Sequence, residues 1–253
     1  MSDIISFNRN LGRCVHNLNM HSTGIRLQNA FPNNWMINED SSYSIVMWVY
    51  PISIINPVSG FAYIGRSGNY NRFYMNGLPG LAFWIFGPSG TGSGWIDARA
   101  SVRSGKWNMV VLHMDGKNLN NYDFFINTHL ASNKEVRGNN LTGDVNLIAG
   151  IQSLNNGVNG YISMFSIIDR LTTEQERIQL LNLNGILPGT LKRDAICYFL
   201  FNNKNRRTVP NYGYDQNIRV SLLEQFTDTN TGIPDQTENR VWCDSYTLQP
   251  VTS

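Results

Sequence analysis

Short runs of apolar and aromatic residues, separated by turn residues, recur through the middle of the chain. The run 42–50 is rich in β-branched and aromatic residues and ends at Pro51, which is typical of a strand. No helical pattern separates this run from those that follow, so the pattern predicts an antiparallel sandwich or barrel. The further runs lie at 61–65, 72–75, 81–86, 107–114, 122–126, 145–149 and 161–168.

One segment has the features of a helix. Residues 172–176 read Thr-Thr-Glu-Gln-Glu, which is a capping-box opening in which a hydroxyl and a carboxylate satisfy free backbone N–H groups. Ile178 and Leu181, with Leu171, form an apolar stripe, and Gly185 is placed to end the helix. We predict a helix over about 173–183 that packs this stripe on the sheet.

The last quarter of the chain has weaker strand signals. Residues 195–202 are strongly apolar and predict a closing strand, and residues 218–223 form a weaker candidate. Residues 240–246 fit either an edge strand or a docking tail. We expect one domain over 1–223 and a C-terminal tail or docking segment over 224–253.

Four motifs resemble, in the same order, the laminin-G-like jelly roll of the concanavalin A-like superfamily, and they fall within residues 22–185. The resemblance implies an all-β fold, an antiparallel two-sheet jelly-roll sandwich with one short peripheral helix. It also implies that Trp48 and Trp107 lie in the core. The run 195–202 is similar to the strand that often opens such domains, and we expect it to pair with the N-terminal segment and close the sheet; in the alternative it begins a second, degenerate unit. The motifs are Ser44-Ile-Val-Met-Trp48-Val49-Tyr-Pro51, Gly105-Lys-Trp107-Asn-Met-Val110 followed by Asp115-Gly116, Asp123-Phe-Phe-Ile-Asn127-Thr128 with threonine in place of the family's glycine, and the run from Gly160 through Arg170-Leu171 to Glu174 and Ile178.

Composition and charge exclude several classes of protein. Hydrophobic residues make up 42% of the chain and charged residues 15%, which is enough apolar material for a core. The net charge is +2, and the one tight basic cluster, Lys204 with Arg206 and Arg207, is too small for a nucleic-acid-binding face. We expect no nucleic acid and no membrane among the partners, since no apolar stretch is long enough to span a bilayer. The N-terminal residues do not resemble a secretion signal.

The three cysteines, Cys14, Cys197 and Cys243, are far apart and odd in number. A metal site would need close pairs, and a disulfide framework would need an even count. The sequence therefore favours three reduced, mostly buried thiols, although one pair could be bridged if its strands meet.

The motifs of known hydrolases are missing, so we expect a protein that is not an enzyme. Glucan-cleaving members of the superfamily carry a Glu-x-Asp-x-x-Glu strand. Here the run 95–99 offers only Asp97 and then a basic residue. His113 lies within a predicted strand, where a lone histidine is usually packed or solvated. The glycine-rich run 87–94 joins two strands and does not open a helix, so it is expected to be a loop, not a phosphate site.

The resemblance also raises the question of a calcium site. Jelly rolls of this type often hold one Ca²⁺ between loops, by means of carboxylates and backbone oxygens. No spacing singles out a set of ligands, so no cofactor or metal site is assigned. The candidates by residue type alone are Asp97, Asp115, Asp123 and Asp144.

The candidate binding site lies at a rim formed by the segments 66–73 and 87–97. Asn69, Tyr70 and Arg72 are expected in a polar turn, and Trp95 and Asp97 on one face of a strand. A flat ring beside hydrogen-bonding groups is suited to sugar recognition. In the alternative interpretation, the two aromatic residues pack under their own loops or against a neighbouring protein.

Two functions are consistent with these features. The first is a structural or decoration protein of a bacteriophage virion, with other virion proteins as partners, host glycans as a further ligand and a homo-oligomer as a further expectation. The second is a carbohydrate-binding module of a cellular or extracellular protein. An export signal or an attached enzyme domain would favour the second, and the two roles can coexist.

Overall fold

The protein is described here from a computed structural model, which contains two antiparallel sheets. It describes residues 13–17, 25–28, 42–53, 59–66, 69–75, 81–85, 95–97, 105–115, 121–135, 148–149, 159–183, 186–200, 208–222 and 242–244. Sheet A has the strand order β10-β9-β8-β3-β12-β1-β16, and β13 also pairs with β12. Its strands are β1 (Arg13–Asn17), β3 (Ser42–Ser53), β8 (Asn108–Asp115), β9 (Asn121–Ile126), β10 (His129–Glu135), β12 (Asn159–Ile168), β13 (Ala195–Leu200) and β16 (Trp242–Asp244).

Sheet B has the strand order β14-β15-β2-β11-β4-β5-β6-β7. Its strands are β2 (Ile25–Gln28), β4 (Ser59–Arg66), β5 (Asn69–Met75), β6 (Leu81–Ile85), β7 (Trp95–Asp97), β11 (Ile148–Ala149), β14 (Thr208–Val209) and β15 (Arg219–Leu222). The helices are α1 (Glu174–Asn182) and α2 (Gly189–Arg193). The antiparallel sheets and the helix near 173–183 confirm the predicted fold class. The domain boundary at residue 223 stays a prediction.

The central strands of sheet A, β3, β8, β12 and β13, are buried on both faces where their side chains are described. Val46, Met109 and Leu180 belong to one apolar cluster, which lies between this sheet and the helices and also includes Leu187 and Leu191. The alternate positions of the same strands, such as Ile45 and Leu112, are also fully buried, as expected of a face that packs against a second sheet. A strand covered on both sides needs a continuous apolar run, and β8 has one.

Helix α1 begins with the capping box that the sequence predicts. Thr173 is the N-cap, its hydroxyl accepts from the backbone N–H of Glu176, and the Glu176 carboxylate accepts from the N–H of Thr173. The predicted apolar stripe is wrong in part, because Ile178 is 37% exposed while Leu180 is fully buried. The second short helix, α2, was not expected from the sequence.

An ionic clamp holds the two helices to the end of β12. Arg170 donates two hydrogen bonds to the Glu176 carboxylate, at 2.8 and 2.6 Å, and its Nε donates to Asp194 at 2.6 Å. Paired geometry of this kind gives strong, directional hydrogen bonds. The hydrogen bonds from Arg170 lower the pKa of Glu176 to about 2, so the clamp stays charged in all but strongly acidic solution.

Buried polar groups join the helix to the sheet beside this clamp. His113 Nε2 lies 2.6 Å from the Thr172 hydroxyl, and the backbone N–H of Thr172 donates to the hydroxyl of Ser44. Arg177 donates to the Thr172 carbonyl, and its guanidinium lies 3.9 Å from the centre of the Phe125 ring. Burial, with a smaller effect of the Arg177 charge, lowers the pKa of His113 to about 4, against a smaller opposing effect of Asp115.

The segment 210–218 runs beside β13. The backbone N–H groups of Tyr212 and Tyr214 donate to carbonyls of β13, each at 2.8 Å. Asn211 supports this path, because its amide oxygen accepts two backbone hydrogen bonds and its amide nitrogen donates to two carbonyls. A side chain at Gly213 would collide with β13, since its Cβ would lie 2.5 Å from the carbonyl oxygen of Ile196. The segment thus covers a strand edge that would favour aggregation if left open.

The closing strand pairs differently from the prediction. Strand β13 pairs with β12 through residues 164–168, whereas the N-terminal strand β1 pairs with residues 160–162 of the same strand. Because β3 occupies the other edge of β12, β1 and β13 lie one after the other along one edge. Strand β16 then pairs with β1, so residues 242–244 form an edge strand.

Replacing Trp107 by alanine should lower the free energy of unfolding by about 3–5 kcal/mol. Trp107 is 7% exposed and meets Tyr50 in an edge-to-face contact of 5.6 Å, so truncation leaves a cavity. Urea unfolding measures the change. Leu130→Ala is the control, since Leu130 is 56% exposed, and equal effects of the two substitutions would contradict the assignment.

The two glycines 213 and 189 should differ in their response to alanine. Gly213→Ala is expected to lower stability by about 3 kcal/mol, because the new Cβ would collide with the backbone of β13. At Gly189, the first residue of α2, no atom lies within 4 Å of an added Cβ, so the melting temperature should hardly change. Similar melting temperatures for the two variants would show that the segment 210–218 does not approach β13 this closely.

Acidification should destabilise the fold through His113. Its pKa is about 4 in the folded protein and near 6.5 in an unfolded chain, so between these values the unfolded chain binds the proton more readily. The free energy of unfolding should therefore fall, by about 3 kcal/mol in total, as the pH drops through this window. Urea titrations at several pH values should show that His113→Gln lacks this part of the decline. An unchanged pH dependence in the variant would contradict the prediction.

Candidate functional site

The predicted binding residues lie in two strands of sheet B. Asn69, Tyr70 and Arg72 belong to β5, not to a turn, because β5 pairs with β4 from its first residue, with Arg66 opposite Asn69. Trp95 and Asp97 are the first and last residues of β7. The backbone of these residues is described, and their side chains lie outside the described part of the chain.

Strand β6 brings the two groups together. Arg72 faces Trp84 across the β5–β6 pair, and Trp84 faces Trp95 across the β6–β7 pair. Residues at directly facing positions of antiparallel strands share one face of the sheet. Tyr70 and Asp97, each two residues along its strand, share it by alternation, whereas Asn69 belongs to the opposite face.

This register continues across the whole of sheet B. One residue from each of the eight strands belongs to a continuous set. Each residue of this set faces the next at a paired position in the adjacent strand, so all eight positions share one face. We call this set the polar-aromatic row. Its members, in strand order, are Thr208, Ser221, Arg26, Ile148, Tyr63, Arg72, Trp84 and Trp95.

The opposite face of the same sheet has a different composition. The positions beside the row on β4 to β7 are occupied by Ala62, Phe73, Phe83 and Ile96, which face one another in turn. At the other end of the strand order, in β14, β15 and β2, Val209, Val220 and Leu27 face one another in the same way and lie on this same face. In sheet B these apolar positions therefore share one face, which also has Asn69 and Asn71, and the arginine, tyrosine, tryptophan and hydroxyl positions of the row lie on the other face.

Sequence reasoning missed Trp84 and Tyr63. Both lie within apolar runs that were interpreted as whole strands, and the register that places them beside Arg72 is not visible in one strand alone. The available signal was alternation: β5 reads Tyr70, Arg72, Tyr74 at every second position, and β6 has a tryptophan between two apolar residues.

A second set of functional groups is buried. His113 and Thr172 lie at hydrogen-bond distance, as a base and a nucleophile would, but they are only 5% and 4% exposed. A substrate cannot reach this pair without the helix moving away. The arrangement joins α1 to sheet A.

Two of the calcium candidates, Asp115 and Asp123, lie in the neighbouring strands β8 and β9. Asp115 accepts a hydrogen bond from the Ser42 hydroxyl at 2.8 Å, and Asp123 lies opposite His113 in the next strand. No group of three or more metal-binding side chains occurs among the described residues. The Asp97 carboxylate and the whole of Asp144 lie outside them. In the described part of the chain, neither helix has the length and apolar character needed to cross a membrane.

Known structures share this fold at low sequence identity. A Bacteroides ovatus protein described as carbohydrate-binding matches with a TM-score of 0.60 and 11% identity, over 83% of this chain and 58% of its own. A heptameric SAP-like pentraxin from Limulus polyphemus matches with a TM-score of 0.53 and 11% identity, over 70% and 85%. The CBM40 of Ruminococcus gnavus IT-sialidase, bound to alpha2,3 sialyllactose, matches with a TM-score of 0.51 and 16% identity, over 68% and 98%. At these identities the likeness shows the fold alone.

Sequence comparison identifies the family. No curated protein sequence matches significantly. A family model of the concanavalin A-like lectin/glucanases superfamily matches residues 22–176, which is more than half of the chain and spans β2 to the start of α1. The resemblance drawn from the four motifs is thereby confirmed at the level of the superfamily: the chain belongs to the concanavalin A-like lectin/glucanases superfamily.

Proposed function

We propose that this protein is a non-catalytic glycan-binding module whose ligand lies on the polar-aromatic row of sheet B. The observation that carries the proposal is the register Arg72, Trp84, Trp95 across three adjacent strands, with Asp97 two residues beyond the last. This register supports the proposal because an arginine, two tryptophans and an aspartate then occupy positions on one face of the sheet.

These residue types suit sugar recognition. Adjacent strands lie about 4.8 Å apart, so the positions of Trp84 and Trp95 form a patch two strands wide. Indole rings cover the apolar C–H faces of a pyranose, and their edges add hydrogen-bonding groups. The guanidinium of Arg72 supplies five donors for hydroxyl or carboxylate oxygens, and the carboxylate of Asp97 accepts from hydroxyls.

The composition of the two sheets supports the choice of this face. The central strands of sheet A are covered by the helices on one side and are buried on the other, so β3, β8, β12 and β13 offer no open face where their side chains are described. In sheet B the apolar positions form one face, as expected of the side that packs in a sandwich. The row occupies the side that remains for a ligand.

The related structures support glycans as the ligand class. Two of the three matches described above are named for carbohydrate binding, one of them with a sialylated ligand present. An arginine beside two aromatic residues suits an acidic sugar, since guanidinium groups bind carboxylates through paired hydrogen bonds. We therefore expect sialylated or otherwise acidic glycans to bind more tightly than neutral ones.

The proposal is independent of where the protein acts. The role in a bacteriophage virion, with virion proteins or further copies of the chain as partners, and the extracellular alternative both stay predictions from the sequence. The lack of catalysis is part of the proposal, because Asp97 has no second acidic residue at a facing position: it lies opposite Ala82, which lies opposite Tyr74.

A glycan array of neutral and sialylated oligosaccharides tests the site. Trp84→Ala and Trp95→Ala should each weaken binding by about tenfold or more, since each removes a stacking surface. Arg72→Gln should weaken binding of acidic glycans more than of neutral ones. Tyr212→Ala is the matched control, because this exposed tyrosine lies beside sheet A.

Three outcomes would contradict the proposal. They are failure of the folded wild type to bind any glycan, equal binding by all four folded variants, and release of reducing sugar that Asp97→Asn abolishes. Melting temperatures of each variant separate loss of binding from loss of fold.

A further inference from the structure

Two cysteines face each other at the edge of sheet A. Strands β1 and β16 pair antiparallel, with Cys14 directly opposite Cys243. We propose that Cys14 and Cys243, at facing register positions of β1 and β16, are an oxidation site that forms a disulfide across this edge. This inference concerns sheet A and is independent of the ligand face on sheet B.

The geometry of an antiparallel pair meets the requirements of a disulfide. Directly facing residues have Cα atoms about 4.5–5.5 Å apart, depending on whether the pair is hydrogen-bonded. Disulfides form over Cα separations of about 4.4–6.8 Å. Facing positions also share one side of the sheet, so the two Cβ atoms leave the backbone toward the same side.

The flanking positions support this register. Arg13 lies opposite Asp244, and Val15 lies opposite Trp242. Opposite charges and apolar–aromatic pairs at facing positions stabilise a strand pair. A shift by one residue would separate both matched pairs and place each cysteine opposite a different residue type.

The third cysteine does not compete for this bridge. Cys197 lies in β13, faces Ile167 of β12 and is fully buried. Burial raises the pKa of the Cys197 thiol to about 12, so at neutral pH it is almost entirely the unreactive thiol. Oxidation should therefore leave Cys197 reduced.

The bridge would secure a weak part of the sheet. Strand β16 is three residues long and stands last in the strand order of sheet A, where it pairs with β1. So short an edge strand gains little from backbone hydrogen bonds alone. A covalent link to β1 also joins two distant parts of the sequence, which restricts the unfolded chain more than a link between near neighbours.

The reaction balances with a low-molecular-weight disulfide, such as oxidised glutathione, as oxidant. One cysteine thiolate attacks the oxidant to form a mixed disulfide and releases one glutathione. The second thiolate then attacks the protein sulfur of that mixed disulfide and releases the other. The two protein thiols are oxidised, the oxidant is reduced to two thiols, and the two protons pass to them.

The test treats the folded, reduced protein with oxidised glutathione and then alkylates the remaining thiols. The intact mass before alkylation should fall by about 2 Da, and digestion should yield one peptide pair joined through Cys14 and Cys243. The melting temperature should exceed that of the reduced protein by roughly 5–10 °C. Cys197→Ser should behave like the wild type, whereas Cys14→Ser and Cys243→Ser should form no intramolecular bridge.

Alkylation of Cys14 or Cys243 in the oxidised protein would overturn the proposal. So would a stable glutathione adduct on either residue, a bridge that includes Cys197, or a disulfide between two copies of the chain. If a serine variant does not fold, the peptide map of the wild type decides by itself.

Discussion

The burial of the central strands of sheet A on both faces is the constraint on which the rest of the structure depends. Neighbouring residues of one strand, such as Ile45 and Val46, are both removed from water, so one apolar layer must cover each side. One of these layers consists of two helices of nine and five residues. Helices this short are not stable alone, and their position must come from tertiary contacts. The Arg170 clamp and the hydrogen bonds around Thr172 supply those contacts.

Sheet B meets a different requirement. Apolar positions such as Phe73 and Phe83 lie on one side together with Asn69 and Asn71, and the arginine, aromatic and hydroxyl positions of the row lie on the other. A sheet that contributes one face to the core leaves its second face without a packing role, so the residues there can vary without loss of the fold. Recognition chemistry can therefore differ between members of a superfamily that share the same sandwich.

Local signals in the sequence predicted well what depends on local interactions. The capping box of Thr173 and Glu176 located the start of α1 to within a residue, because cap hydrogen bonds involve neighbours only three residues apart. The buried face of α1 was assigned less well, since the choice between Ile178 and Leu180 depends on how the helix lies on the sheet. The five-residue α2 is too short for a periodic pattern.

For the candidate site, too, the residue types could be predicted from the sequence, whereas the strand register could not. Tyr70, Arg72, Trp95 and Asp97 could be selected by residue type, but asparagines around Tyr70 suggested a turn where a strand continues. Trp84 and the pairing of Cys14 with Cys243 depend on strand register, which is set by contacts between distant segments. A single sequence read along its length does not contain that information in any local pattern.

The adjacency of β1 and β16 has a consequence for the architecture of larger proteins. Because Arg13 faces Asp244, the chain enters sheet A through β1 and leaves it through β16 at nearly the same point. A unit whose entry and exit are neighbours can be inserted into a surface loop of a host protein without separating the loop's ends. The same geometry suits circular permutation, in which the two ends are joined and the chain is opened at an exposed turn. The fold is therefore suited to insertion as a unit into other proteins.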